Sequence, residues 1–202
     1  MKLLLFSDLH ANTTAAQRLV EMADGMDVVI GAGDFGSVRS QVSACIPILR
    51  EIKCPAVVVP GNNESLEELI SACKLWARAR VLHGESVEID GVTFFGLGGG
   101  IPITPFGSWS WDFSEADAAR LLERCPPSGV LVSHSPPKGA VDMAASGESL
   151  GSTAVRDAVI RLKPKLVVSG HIHASGGQKA KIGETTVINA GPQGVVWELV
   201  TQ

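Results

Sequence analysis

Four of the five histidines in this chain sit in short motifs built from metal-ligand residue types. The motifs are Asp8-x-His10, Gly33-Asp34, Gly61-Asn62-Asn63-Glu64, Ser133-His134-Ser135 and Gly170-His171-Ile172-His173. Together they describe a two-metal site. Imidazole and oxygen ligands without thiolate suit Mn, Fe or Zn better than Ca or Cu(I). A carboxylate is the ligand type that can span two cations roughly 3.5 to 4 Å apart, and such a pair clamps both oxygens of an in-line displacement. A water bridging two such cations has its pKa lowered towards about 7 and can attack as hydroxide. Phosphorus is the electrophile this chemistry favours, because two dications draw an anionic ester even to an acidic protein.

Each motif residue also has a plain reading. Asp8, Asp34 and Asn62 could be turn formers or helix caps, and any lone His could be structural. Five such coincidences would have to hold together, each directly after an apolar run. His83 has no motif partner and reads as a satisfied surface histidine or one that supports the ligands from behind.

The elements that must position these residues are legible as apolar runs at 3–6, 28–30, 56–59, 130–132 and 166–168, each followed by one motif. In open α/β sheets the carboxyl ends of the strands form the ligand crevice. Between the runs, Ala16, Leu19, Val20 and Ala23 fall on one face of a helix over 13–24 that Asn12 or Thr13 can cap. A second helix is expected over 38–51, with Pro47 predicting a kink or an early stop. A third opens with Ser65-x-x-Glu68, a capping-box pattern, and runs to about Lys74. This alternation predicts βαβ units and a parallel sheet.

From Ala79 the texture changes to two strands, 86–89 and 92–97, joined by the hairpin signal Asp90-Gly91, and here the sheet becomes mixed. A Gly/Pro-rich loop over 98–113 carries Pro102, Pro105, Phe106, Trp109 and Trp111, and loops of that length are often functional. Helices over 114–124 and 152–163 and terminal strands near 178–181, 185–189 and 195–200 complete the pattern.

The chain has 202 residues, a length that predicts one domain, 1–202, with a sizeable core. Hydrophobic content of 45% against 19% charged is globular. A net charge of -4 leaves no broad basic surface for a nucleic-acid backbone, so no long nucleic acid is expected as a partner. With no apolar stretch of membrane-spanning length and no signal-peptide core, the expectation is a cytoplasmic protein without a membrane partner. Cys45, Cys54, Cys73 and Cys125 are widely spaced, which fits reduced structural thiols.

As an ordered set, these motifs resemble those of the calcineurin-like metallophosphoesterase superfamily over nearly the whole chain. The nearest subgroup is the small single-domain prokaryotic phosphoesterases, which the stretches Ser133-His134-Ser135-Pro136-Pro137, Gly151-Ser152 and Lys163-Pro164-Lys165 also suit. The resemblance implies an α/β fold, a four-layer α/β/β/α sandwich of two mixed sheets flanked by helices. It assigns Asp8, His10 and His173 to a first metal, Asn62, His134 and His171 to a second, and Asp34 to both. The cofactors implied are two divalent metal ions, Mn foremost with Fe or Zn as alternatives, and the substrate a small phosphoester or nucleotide.

Asn63 is the main departure, since the superfamily commonly has His there, acting on the leaving group or the transferring phosphoryl. Asn63 can donate a hydrogen bond but is no acid near neutral pH, and a missing general acid costs about 10² to 10⁴-fold in rate. One reading is an enzyme for phosphodiesters and other esters with good leaving groups, with Asn63 as its catalytic residue. The other is a metal-dependent nucleotide-binding or regulatory module with vestigial phosphatase activity. A hydrolase of carbon esters or amides is disfavoured by motif order. Trp109 and Trp111 suggest a lid or a stacking platform for a base, or merely anchors for the loop. The helix opened by Gly151-Ser152 could receive an anion, and capping alone explains that pair equally well.

Overall fold

Alternation along β1 (Lys2–Phe6) decides the layering. Leu3 and Leu5 face one way, into a layer with Val28, Ile30, Val57 and Val59 that meets Phe94, Val132, Val168 and Ile188 of a second sheet. Leu4 and Phe6 face the other way, against Leu19, Ile46, Leu49 and Leu69 of covering helices. Period-two burial on both faces makes a strand central and sandwiched. The computed structural model describes residues 1–200.

The first sheet is built by β1, β2 (Val28–Gly31), β3 (Ala56–Val58) and β4 (Ala79–Val81), all parallel, with the helices α1 (Thr13–Met22), α2 (Val42–Leu49) and α3 (Leu66–Cys73) intervening. Asn12 caps α1 by accepting from Ala15 N, and Ser65 with Glu68 forms the capping box of α3. The hairpin of β5 (Glu85–Ile89) and β6 (Val92–Leu97) starts the second sheet, which continues through α4 (Glu115–Leu122), β7 (Val130–Ser133), α5 (Thr153–Leu162), β8 (Leu166–Ser169), β9 (Lys179–Ile182) and β10 (Thr185–Asn189). The chain then returns to the first sheet as β11 (Val195–Glu198), antiparallel to β1.

Strand orders are β11-β1-β2-β3-β4 and β5-β6-β7-β8-β10-β9. Both sheets are mixed, since β5 and β9 run antiparallel to their neighbours while β6, β7, β8 and β10 are parallel. On the outer face of the second sheet, Phe95, Leu97, Leu131, Val167 and Val187 pack on Leu122, Val155, Ala158 and Val159 of α4 and α5. The result is the expected α/β/β/α sandwich.

Three details differ from the sequence expectation. The helix α2 starts at Val42 rather than near Val38, because Val38, Arg39 and Gln41 hold φ of 47°, 58° and 62°, outside helical space. Pro47 lies inside α2, and the helix ends two residues later at Leu49, short of the expected end at Glu51. The strand β4 has only three residues, with Ala79 and Val81 half-buried against the first core, too short a run for alternation to announce it. Among the described residues no helix is long and apolar enough to cross a membrane.

Candidate metal centre

The motifs leave their strands through tight, locally strained turns. Asp8, His10, Asp34 and His171 all have positive φ, of 56°, 44°, 58° and 66°. Non-glycine residues rarely hold that conformation, and such strain clusters at functional sites. The turns after β1 and β2 hold each other: Asp8 N donates to Gly33 O at 2.9 Å and His10 N to Asp34 O at 3.0 Å. The turn after β8 joins them, with His171 N donating to Asp8 Oδ1 at 2.9 Å.

One set of donors is Asp8, His10, Asp34 and His173, whose candidate ligand atoms all lie within 4.8 Å of one another. Opposed ligands of a cation with bonds of about 2.0 to 2.2 Å lie roughly 4 to 4.4 Å apart, so a small relaxation closes this set on one ion. Nε2 of His10 is 3.0 Å from Nε2 of His173 and 3.5 Å from Asp34 Oδ2, while His173 Nε2 is 3.7 Å from Asp8 Oδ1. Both carboxylates are buried, and His173 is the exposed member.

A second set converges on the other oxygen of Asp34. Its Oδ1 is 3.5 Å from His134 Nε2, which is 3.3 Å from Asn62 Oδ1, which is 3.1 Å from His171 Nδ1. The His134 tautomer is determined, because its Nδ1 lies 2.7 Å from the carbonyl of Ala32 and a carbonyl only accepts. In the neutral ring the proton is therefore on Nδ1, which leaves the Nε2 lone pair facing two oxygen acceptors. Lone pairs converging without a proton between them are what a bound cation resolves, so the residues fit a metal.

Charge points the same way. Burial, then the neighbouring Asp8 carboxylate, pushes Asp34 up to about 8 against the hydrogen bonds from Asn63. Burial holds His10 below its usual range in spite of Asp8, and burial followed by His134, His173 and His10 holds His171 well below it. Neutral imidazole is the ligand form.

Two residues of the Gly61-Asn62-Asn63-Glu64 motif work as braces. The Asn63 backbone N donates to Asp34 Oδ1 at 2.9 Å and its Nδ2 to Asp34 Oδ2 at 2.7 Å, while its Oδ1 accepts from Val38 N at 2.8 Å. Both ends of that amide are engaged. Glu64, fully buried, accepts from the backbone N of Asp34, Phe35, Gly36 and Gly61. Gly61 is required by contact, since a Cβ there would lie 2.0 Å from Asp34 Oδ1.

The remaining candidates fall outside the cluster. His83 accepts from Gly98 N at 3.1 Å and packs against Trp111 and Phe113, a structural role. Trp109 stacks on Phe106 at 5.7 Å, and Arg39 Nη1 reaches the Trp109 carbonyl at 3.5 Å. All four cysteines are free thiols, and burial pushes Cys45, Cys73 and Cys125 up to about 11, 12 and 11. The helix opened by Ser152 is capped from within the chain, by Ser152 itself on Val155 N and by the Glu115 carboxylate on Ser152 Oγ, Thr153 N and Ala154 N. No motif signalled Ser110 at the site, where its Oγ accepts from Asn62 Nδ2 at 3.0 Å.

The family model described as calcineurin-like phosphoesterase superfamily domain matches residues 1–200. The chain is 30% identical over 139 residues to metallophosphoesterase domain-containing protein 1 of Homo sapiens, which covers 65% of this chain and 38% of that protein. Across the curated relatives it matches, the chain spans between 27% and 69% of their length. Among solved structures it is similar to TT1561 of Thermus thermophilus, with a TM-score of 0.77 at 18% identity over 95% of this chain and 90% of that one. A dimetal phosphatase from Danio rerio gives a TM-score of 0.61 at 12% identity over 94% and 86%. At those identities the structural likeness bears on the fold alone.

Proposed function

The chain belongs to the calcineurin-like phosphoesterase superfamily, and from that premise we propose that it is a metal-dependent phosphoester hydrolase that prefers diesters to monoesters. The observation that carries the proposal is the place of Asp34, one carboxylate with Oδ2 3.5 Å from His10 Nε2 and Oδ1 3.5 Å from His134 Nε2. Asp8, His10, Asp34 and His173 would hold one cation, and Asp34, Asn62, His134 and His171 the other. When bound, two divalent ions, Mn foremost with Fe or Zn as alternatives, supply Lewis acidity at the phosphoryl oxygens and a hydroxide nucleophile near neutral pH.

The chain's own residues do the rest. The Ala32 carbonyl keeps His134 in the ligating tautomer, Glu64 staples the turns after β2 and β3, and Asn63 clamps Asp34. The preference for diesters rests on Asn63, whose amide has no proton to give near neutral pH. Leaving groups that depart without protonation escape the cost of about 10² to 10⁴-fold that a missing general acid imposes. A small phosphoester or nucleotide is the substrate class this supports.

The test is the initial rate of bis(p-nitrophenyl) phosphate hydrolysis by chelator-stripped protein before and after Mn is added, with Asp34→Ala as control. The expected result is turnover that needs metal and is lost in Asp34→Ala. Alkyl monoesters hydrolysed as fast as the aryl diester would sink the diester preference. The same Asn63 geometry supports a second reading, a metal-dependent nucleotide-binding module, and absent turnover with two Mn ions bound would favour it.

A further inference from the structure

Asn62 presents an amide whose two ends are nearly the same in shape and opposite in hydrogen-bonding sense. Its Oδ1 faces His171 Nδ1 and His134 Nε2, and its Nδ2 donates to Ser110 Oγ at 3.0 Å. Only the oxygen end can ligate a cation; the reversed amide would aim two N–H groups at the ion. Something must therefore choose the orientation.

Ser110 has one hydroxyl proton, and its Oγ lies 2.7 Å from Asp112 Oδ1. A carboxylate only accepts. The other oxygen, Asp112 Oδ2, accepts from Thr104 N at 2.8 Å and from Thr104 Oγ1 at 2.6 Å. Thr104 Oγ1 is also 3.1 Å from Ser110 Oγ, but its single proton goes to the nearer, carboxylate acceptor. The Ser110 proton is thus committed to Asp112, and lone pairs are left facing Asn62, which must answer with Nδ2. The backbone of the same loop is tied in as well, with Trp111 N donating to Asn62 O at 2.9 Å. Gly100 leaves room for the acid, since a Cβ there would lie 2.3 Å from Asp112 Oδ1.

We propose that Asp112 and Ser110 form a directional hydrogen-bond relay that turns the Asn62 amide oxygen towards His134 and His171, which makes both of them positioning residues for the second cation. The proposal rests on the paired-cation reading above. It gives the loop between β6 and α4 a share in metal binding that no motif announces, and it predicts that direction, rather than the mere presence of a polar partner, is what matters.

The experiment is a calorimetric titration of chelator-stripped protein with Mn, reading stoichiometry and the two dissociation constants. Removing an outer partner of a metal ligand typically costs about 10 to 100-fold in affinity. In Asp112→Asn the new amide can donate to Ser110, the Ser110 proton turns to Asn62, and the amide oxygen is drawn away. The second Mn is expected to bind about 10 to 100-fold more weakly, with the first within about 2-fold. Ser110→Ala, which tests the relay even if Asp112→Asn fails to fold, is expected to weaken the second site by about 10-fold. In an Asn62→Asp background both side-chain oxygens accept, so adding Asp112→Asn is expected to leave the second constant unchanged or tighten it, a coupling that a double-mutant cycle isolates. Equal weakening in both backgrounds would reduce the network to loop packing and overturn the relay, as would an unchanged second constant in Ser110→Ala. Wild-type protein that binds fewer than two Mn ions would overturn the paired centre itself, and the relay with it.

Discussion

Glu64 shows how a residue that touches no substrate can determine whether the site exists. Its Oε1 accepts from Asp34 N at 2.8 Å, Gly61 N at 2.8 Å and Phe35 N at 3.3 Å, and its Oε2 from Gly36 N at 3.1 Å. The carboxylate satisfies the N–H groups of two turns that have no sheet partner left, which water would otherwise have to reach. In Glu64→Gln one oxygen becomes an NH₂ group, and a buried donor then faces either one or three backbone donors. Burial, then the neighbouring Asp34 carboxylate, pushes Glu64 up to about 7, so above that pH the change is expected to cost about 2 to 4 kcal/mol, from lost hydrogen bonds to a charged acceptor and a stranded buried donor. It would be read as a lower urea midpoint at unchanged m. A midpoint within error of wild type would mean that water already serves these groups. In the sequence Glu64 showed only as the end of a motif, and its partners at 34–36 could not be read, because they belong to a different strand's turn.

Helix ends were the most legible elements, and α5 carries a test of them. Ser152 caps Val155 N, while Glu115, from the first turn of α4, accepts from Ser152 Oγ at 2.7 Å, Thr153 N at 2.9 Å and Ala154 N at 2.8 Å. Burial alone would raise Glu115, but the Ser152, Ala154 and Thr153 donors outweigh it and hold the carboxyl below its usual range. A pKa depressed on folding contributes stability above the unfolded value and loses it as pH falls through the folded one. Glu115→Gln is therefore expected to lose about 0.5 to 1 kcal/mol at pH 7, allowing for screening at a half-exposed site, and nothing once the wild-type Glu115 is protonated in the folded and unfolded states alike. Urea unfolding of both proteins from pH 7 down through the acid titration of the wild-type carboxyl checks it; a gap that stays constant across that range would show that charge is not responsible. The loop before α2 was illegible for a physical reason: Val38, Arg39 and Gln41 are left-handed although none is Gly or Asn. Val38 is branched at Cβ, 55% exposed and held by its N–H to Asn63 Oδ1. Asn tolerates that conformation and sacrifices little burial there, so Val38→Asn is expected to raise stability by about 1 kcal/mol. A lower thermal midpoint would count against a left-handed residue at 38.

At the scale of the molecule, the candidate ligands come from turns after β1, β2 and β3 of one sheet and after β7 and β8 of the other, joined beneath by the layer of Leu5, Ile30, Val132 and Val168. That arrangement explains why the motifs were visible while their supports were not. Each motif is contiguous and follows its own strand, whereas Ser110 and Asp112 meet Asn62 only because β3 and β6 end on the same side of the sandwich. It also makes metal binding a property of the folded state, since an unfolded chain scatters Asp8 and His173 far apart. A ligand that binds only the folded form stabilises it by about 2.7 kcal/mol at a hundred times its dissociation constant. For a chain of this size each kcal/mol is worth about 2 to 4 °C, so each saturated site is expected to raise the unfolding temperature by about 5 to 11 °C. Scanning calorimetry of chelator-stripped and Mn-loaded protein measures the rise, a chelator should reverse it, and Asp34→Ala should lose both increments because that carboxylate faces both donor sets. Stoichiometric Mn binding with no rise would mean that the unfolded chain holds the ions as well as the folded one does, and the tie between the two sheets would then have to be abandoned.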